Sequence, residues 1–172
     1  MRTSVSSRAT RPAALLPDVV GLGGALAGLG GGLAMAVVAA IIATSMGQDI
    51  WHEAKQIAAI VYGPAALAQP GFDAGPVLVG SLIHLVVSAL LGALFGILTR
   101  RVLRLTSDFW TPVLAGLIYG MLIWLVAYFV VLPLLNPALL DLYAPAFIVQ
   151  HLVYGMVTGV LYMWLRPEPY HS

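Results

Sequence analysis

Four apolar stretches, at about 19–44, 76–99, 112–133 and 145–165, contain no Asp, Glu, Lys or Arg. Each is long enough for a helix to cross a bilayer, which takes roughly 20 residues. Inside lipid every backbone N–H and C=O must be satisfied within the segment, so such stretches fold as helices. Together they use most of the 172 residues and leave no room for a separate soluble domain. Only 9% of the chain is charged, against about 25% in soluble proteins. The expected object is an all-α membrane protein, a single domain over 1–172 with four transmembrane helices.

Basic residues set an orientation. Arg2, Arg8 and Arg11 precede the first span, Arg100, Arg101 and Arg104 follow the second, and Arg166 follows the fourth. On the other side Lys55 is the one base, set among Asp49, Glu53, Asp73 and Asp141. By the positive-inside rule both termini are cytoplasmic. The net charge of +1 is thus a topology signal, and no basic patch for nucleic acid is present. The start, Met1 to Arg11, has no apolar region of its own, so a cleaved leader is not expected. With no cysteine, disulfides, thiolate ligands and iron–sulfur clusters are excluded.

Small residues recur every four positions: Gly24, Gly28 and Gly32 in the first span; Gly80, His84, Ser88, Gly92 and Gly96 in the second; His151, Gly155 and Gly159 in the fourth. That spacing keeps them on one helix face, where small side chains let backbones approach. The third span carries Gly116 and Gly120, and Leu26-Ala27-Gly28-Leu29 recurs there as Leu114-Ala115-Gly116-Leu117. His84, Ser88 and Gly92 likewise fall on His151, Gly155 and Gly159. Two hairpins related by a parallel internal repeat are expected. The glycine run from Gly21 to Gly32 is no phosphate loop, because it lacks the Gly-Lys-Ser/Thr ending and follows no strand.

The longest loop separates the first two spans. Within it 49–62 reads as a short amphipathic surface helix, capped by Asp49 and ended by Gly63-Pro64. Its apolar face would be Ile50, Trp51, Ala54, Ile57, Ala58 and Val61. It is placed flat on the outer surface, as a lid on the bundle or a helix that meets a partner.

His84 and His151 both lie near the outer ends of their spans, with His52 on the same side. Burying an imidazole in an apolar bundle costs free energy and asks for a partner. Several assignments are open. Each ring can hydrogen-bond a neighbouring hydroxyl or carbonyl. His84 and His151 can be an axial pair for haem b. His52, His84 and His151 can form a three-nitrogen copper or zinc site. A proton path is the fourth, though the spans hold no carboxylate. Haem lacks an arginine nearby for its propionates, with Lys55 the one cation on that side. No catalytic motif is present: no nucleophile elbow, no HExxH and no paired carboxylates.

The stretch from Val79 to Gly96, with His84, Ser88 and Gly92, resembles small uncharacterised four-span inner-membrane proteins of bacteria. The resemblance covers the second span and part of the preceding loop. Some such proteins carry a sodium:proline symporter label, but symporters of that type have many more spans. The resemblance implies the bacterial inner (cytoplasmic) membrane and no activity.

These readings converge on a non-catalytic integral membrane subunit of a larger, energy-converting (respiratory or photosynthetic) complex. Its partners are lipid and other membrane subunits, or further copies of itself. The alternatives are a bis-histidine haem b or metal-binding electron carrier through His84 and His151, and a small oligomeric transporter or channel.

Overall fold

The computed structural model describes residues 20–105, 110–135 and 144–165. Arg2, Arg8, Arg11 and Arg166, on which the orientation leans, lie outside them, as does Asp141. Among the described residues the fold is entirely helical. Its elements are α1 (Val20–Ser45), α2 (His52–Tyr62), a 3-10 turn (Gly63–Leu67), α3 (Ala74–Ile97), α4 (Trp110–Val126), α5 (Leu132–Leu135) and α6 (Ala144–Leu165). Four helices are long and apolar enough to cross a membrane: Gly21–Ser45, Ala74–Val102, Trp110–Leu135 and Ala144–Leu165. They fall within a few residues of the expected spans.

The third span does not end at Pro133. It widens into a π-helical turn, Ala127–Val131, and continues through Pro133 to Leu135. Proline lacks an N–H and its ring crowds the carbonyl four residues back. A π-turn immediately before it absorbs that misfit without ending the helix.

Glycine decides which helices touch. A methyl group added at Gly24 or Gly28 would run into the backbone of Gly92, and at Gly28 also into the Ser88 carbonyl. At Gly116 it would meet Gly155 and Gly159, and at Gly120 the His151 carbonyl and Gly155. So α1 is pressed against α3, and α4 against α6, backbone to backbone. A second face of α1 joins the pairs: Gly31 meets Thr158 and Tyr154 of α6, and Gly30 meets Leu161. The helices therefore pack in the order α3, α1, α6, α4.

Gly80, in the same stripe as Ser88 and Gly92, meets a different helix. A methyl there would strike Ala54 and Ala58, so Gly80 seats α2 on α3. Gly96 is buried, and its carbonyl accepts the Tyr162 hydroxyl proton at 3.1 Å.

Between α3 and α4 backbone contact is sparse; aromatic side chains span the gap. Tyr119 of α4 donates to the Leu91 carbonyl at 2.8 Å. From α6, Tyr154 donates to the Ser88 carbonyl at 2.8 Å. Phe95 lies against Tyr119 and Tyr162, with ring centroids 5.3 and 5.7 Å away. This cluster fills the half of the bundle that ends at Arg100 and Arg101. The half nearer α2 stays open.

The close contacts yield a graded test. Gly21→Ala places its methyl 4.0 Å from the Ala93 Cβ and should leave stability unchanged or slightly raised. Gly28→Ala and Gly116→Ala force helices apart and should each cost about 1–3 kcal/mol, the usual range for overpacking. Reversible unfolding in mixed micelles reads the difference; equal effects at all three positions would contradict the packing described.

Candidate functional site

A cavity of about 520 Å³ occupies the open half of the bundle. Every helix contributes to its wall: Met35, Ala39 and Ala43 from α1; Ile83, Val87 and Leu91 from α3; Ile123, Val131 and Leu132 from the third span; Phe147 and Tyr154 from α6. The walls are mostly apolar. Polar groups gather toward α2, where His52, Glu53, His84, Gln150 and His151 all line the space. An apolar chamber with a few convergent polar groups is the usual form of a small-molecule site.

Each span histidine spends one ring nitrogen on a backbone carbonyl. His84 Nε2 donates to the Gly32 carbonyl of α1 at 2.9 Å. His151 Nδ1 donates to the Phe147 carbonyl of its own helix at 2.8 Å. The Phe147 ring stands edge-on against His151, centroids 4.3 Å apart. The carbonyl satisfies the imidazole N–H that burial would otherwise strand.

The three imidazoles expected to gather do line one cavity. Among the described residues no group of three or more His, Cys, Asp or Glu is arranged to hold a metal ion. For a haem, His84 would have to release the Gly32 carbonyl before its Nε2 could turn to iron. The cation considered for haem propionates is committed elsewhere. Lys55 is 2% exposed, and its ammonium donates to Asp49 Oδ2 at 2.9 Å and to the Gln69 and Gly71 carbonyls at 3.0 Å each.

That ammonium anchors the segment between α1 and α3. Asp49 is not the expected helix cap: α2 begins at His52, and Asp49 accepts instead from Lys55, from the Trp51 N–H at 2.9 Å and from the Gly71 N–H at 3.1 Å. The Lys55 bond holds the Asp49 carboxyl below its ordinary range, against the opposing effect of desolvation. Burial lowers His52, with Asp49 pulling the other way. The buried face of α2 is Lys55, Ala58 and Ala59. Ile50 and Val61 of the expected apolar face are not covered by the rest of the protein, at 51% and 63% exposed. Ala54 and Ala58 fit the shallow seat at Gly80, while Ile57 lines the cavity.

Glu53 completes the site. It reaches across the cavity to accept a hydrogen bond from Gln150 Nε2 at 2.9 Å, linking α2 to α6. Desolvation pushes its carboxyl up to about 7, more than the Gln150 bond pulls it down. Gln150 stood out in the sequence only as a polar residue in an apolar span. Its meeting with Glu53, 97 positions away, had no local signal. The tyrosine bonds to α3 carbonyls were equally hidden, because tyrosines in a span look like bulk alone.

Two measurements probe these anchors. Lys55→Met removes three hydrogen bonds at once, to Asp49 Oδ2 and to the Gln69 and Gly71 carbonyls. It should cost about 1.5–3 kcal/mol, the range for hydrogen bonds to a charged group, and release hydrogen-exchange protection across 49–71 while the four spans keep theirs. For Glu53 the raised carboxyl fixes the sign. Its stabilising contribution is full below about pH 4.5 and lost as pH rises through about 7. Glu53→Gln should flatten that slope and exceed the wild type above pH 7 by on the order of 2 kcal/mol, read from melting temperature against pH.

No curated protein and no solved structure matches the chain. One family model does, over residues 19–172. It spans all four apolar helices, α2 and the cavity they enclose, and on that match the chain belongs to DUF6789, a family of unknown function.

Proposed function

We propose that this chain is a non-catalytic integral membrane subunit of a larger, energy-converting complex, and that it holds an amphipathic molecule drawn from the lipid phase. The observation that carries the binding role is the cavity itself. It is lined by every helix, roofed by α2, apolar along its walls and polar at one end. It lies where backbone contact between α3 and α4 is sparse, so the bilayer is its natural source of ligand. α2 sits at the opposite end of α3 from Arg100 and Arg101, which by the positive-inside rule makes its side the outer one. On that basis the chain is assigned to a bacterial inner membrane, with both termini cytoplasmic and α2 acting as a surface helix.

The two close-packed pairs are further read as two copies of one hairpin. Gly28 with Ser88 and Gly92 corresponds to Gly116 with Gly155 and Gly159; Gly32 with His84 and Ser88 corresponds to Gly120 with His151 and Gly155. The same register at both interfaces supports a parallel internal repeat. A transport path through the bundle has less support, since Phe95, Tyr119 and Tyr162 pack together beyond the cavity. The electron-carrier alternative rests on both histidines lining one cavity.

Native mass spectrometry of the protein, gently solubilised from its own membranes, tests both halves of this reading. The expected spectrum shows the chain in a heavier assembly with other subunits, carrying one small bound molecule that Val87→Trp displaces. A lone chain would overturn the subunit role. A chain with nothing bound, or a bound molecule indifferent to Val87→Trp, would overturn the cavity's role.

A further inference from the structure

The hydrogen-bonding character of the cavity narrows its ligand, taking as given that the cavity is a binding site. In a neutral imidazole one nitrogen donates and the other accepts. A carbonyl can only accept, so the nitrogen facing it must carry the proton. His84 Nε2 faces the Gly32 carbonyl and His151 Nδ1 faces the Phe147 carbonyl. The remaining nitrogens, His84 Nδ1 and His151 Nε2, are therefore bare acceptors.

The neighbouring groups have the same bias. Gln150 turns its amide N–H toward Glu53, which leaves its Oε1 to accept. Glu53 accepts at Oε2 and keeps a second carboxyl oxygen. The Tyr154 hydroxyl proton is spent on the Ser88 carbonyl. Gln48, His52, Gln56 and Ser88 also line the cavity and can donate; the two imidazole acceptors stand on separate walls, α3 and α6.

We propose that the cavity binds the reduced, hydroxyl-bearing form of a lipid-soluble quinone-class amphipath, its two hydroxyls donating to acceptors on α3 and α6 and its tail leaving between α3 and α4. Two acceptors on separate walls match a rigid head with a donor at each side. The oxidised head offers two carbonyls, which are acceptors themselves, and would leave the site's acceptors unpaired. Sites built around a ligand hydroxyl discriminate strongly against analogues that lack it.

An alkylammonium would also donate, but it needs a full counter-charge. Asp49 is committed to Lys55, and Glu53, with its carboxyl near 7, is only partly ionised at neutral pH. Phe147, Leu91 and Ile123 supply apolar contact for a ring.

The test is anaerobic calorimetric titration of the protein in lipid nanodiscs with decylubiquinol and, separately, decylubiquinone. Decylamine and decanol serve as controls, and Val87→Trp and His151→Phe as variants. The expected result is saturable decylubiquinol binding at least ten-fold tighter than decylubiquinone, decanol or decylamine, abolished by Val87→Trp. A folded His151→Phe should lose most of the preference for the reduced form. If that variant does not fold, the comparison of the two redox forms on the wild type decides alone.

Equal or tighter binding of the quinone would overturn the donor–acceptor argument while leaving the cavity as a binding site. Tighter binding of decylamine or decanol would overturn the ligand class in the same way. No binding by any of the four, or binding untouched by Val87→Trp, would overturn both this proposal and the cavity's role.

Discussion

Backbone-to-backbone contact at glycine is the interaction from which the rest of this bundle follows. Lipid tails are as apolar as leucine, so burying apolar side chains between helices gains little inside a bilayer. Association depends on dispersion at close range, and close range needs faces without side chains. Gly24 and Gly28 meet Gly92; Gly116 and Gly120 meet Gly155 and Gly159. The large aliphatic residues are turned outward, as Leu78, Leu82, Leu90 and Leu114 illustrate at 60% exposure or more. A soluble core is built the other way round.

Tight pairing in two places forces looseness in a third. With α1 pressed on α3, α4 on α6, and α1 also on α6, little backbone contact is left between α3 and α4. Polar bridges take its place. Tyr119, Tyr154 and Tyr162 all deliver their hydroxyl protons to carbonyls of α3. Those carbonyls already serve the helix ladder and accept a second bond with their free lone pair. The bridges and Phe95 close the arginine end, while toward α2 the gap persists as the cavity. The candidate site is thus a by-product of which faces carry glycine.

Much of this was legible in the sequence, and the limits have physical causes. The spans were readable because exclusion of charge over some 20 residues has few explanations other than lipid. The glycine stripes were readable because spacing on one helix fixes a face. What spacing cannot give is the partner of that face. Gly80 belongs to the same stripe as Ser88 and Gly92, yet it serves α2 rather than α1. The same limit hid the Glu53–Gln150 bond and the tyrosine bridges. The burial of Lys55 had no local signal either, since only three converging oxygens from distant positions make it tolerable. At α2, Gly80 selects alanine for its contact, and Ile50 and Val61 are left uncovered by the rest of the protein.

The roof of the cavity is held differently from its walls. α1, α3, α4 and α6 are locked by contacts that no ligand or proton can alter. α2 rests on Ala58 and Ala59 in a shallow seat, on the Lys55 knot, and on one hydrogen bond from Glu53 to Gln150. The Lys55 knot fixes where α2 begins and where the loop after it returns, so it acts as a hinge. The Glu53 bond lies on the far side, across the cavity, and it is the weaker of the two: one contact instead of three, made by a carboxyl that changes charge near neutrality. A ligand head that competes for Glu53 or Gln150 would loosen the roof at the edge where the head sits and leave the hinge intact. On the proposed reading, entry between α3 and α4 and opening beneath α2 are controlled by separate parts of the fold, the first by the gap between those helices and the second by Glu53. A membrane protein of this size can give its cavity two differently governed approaches only because its glycine contacts make the frame rigid without using α2 at all.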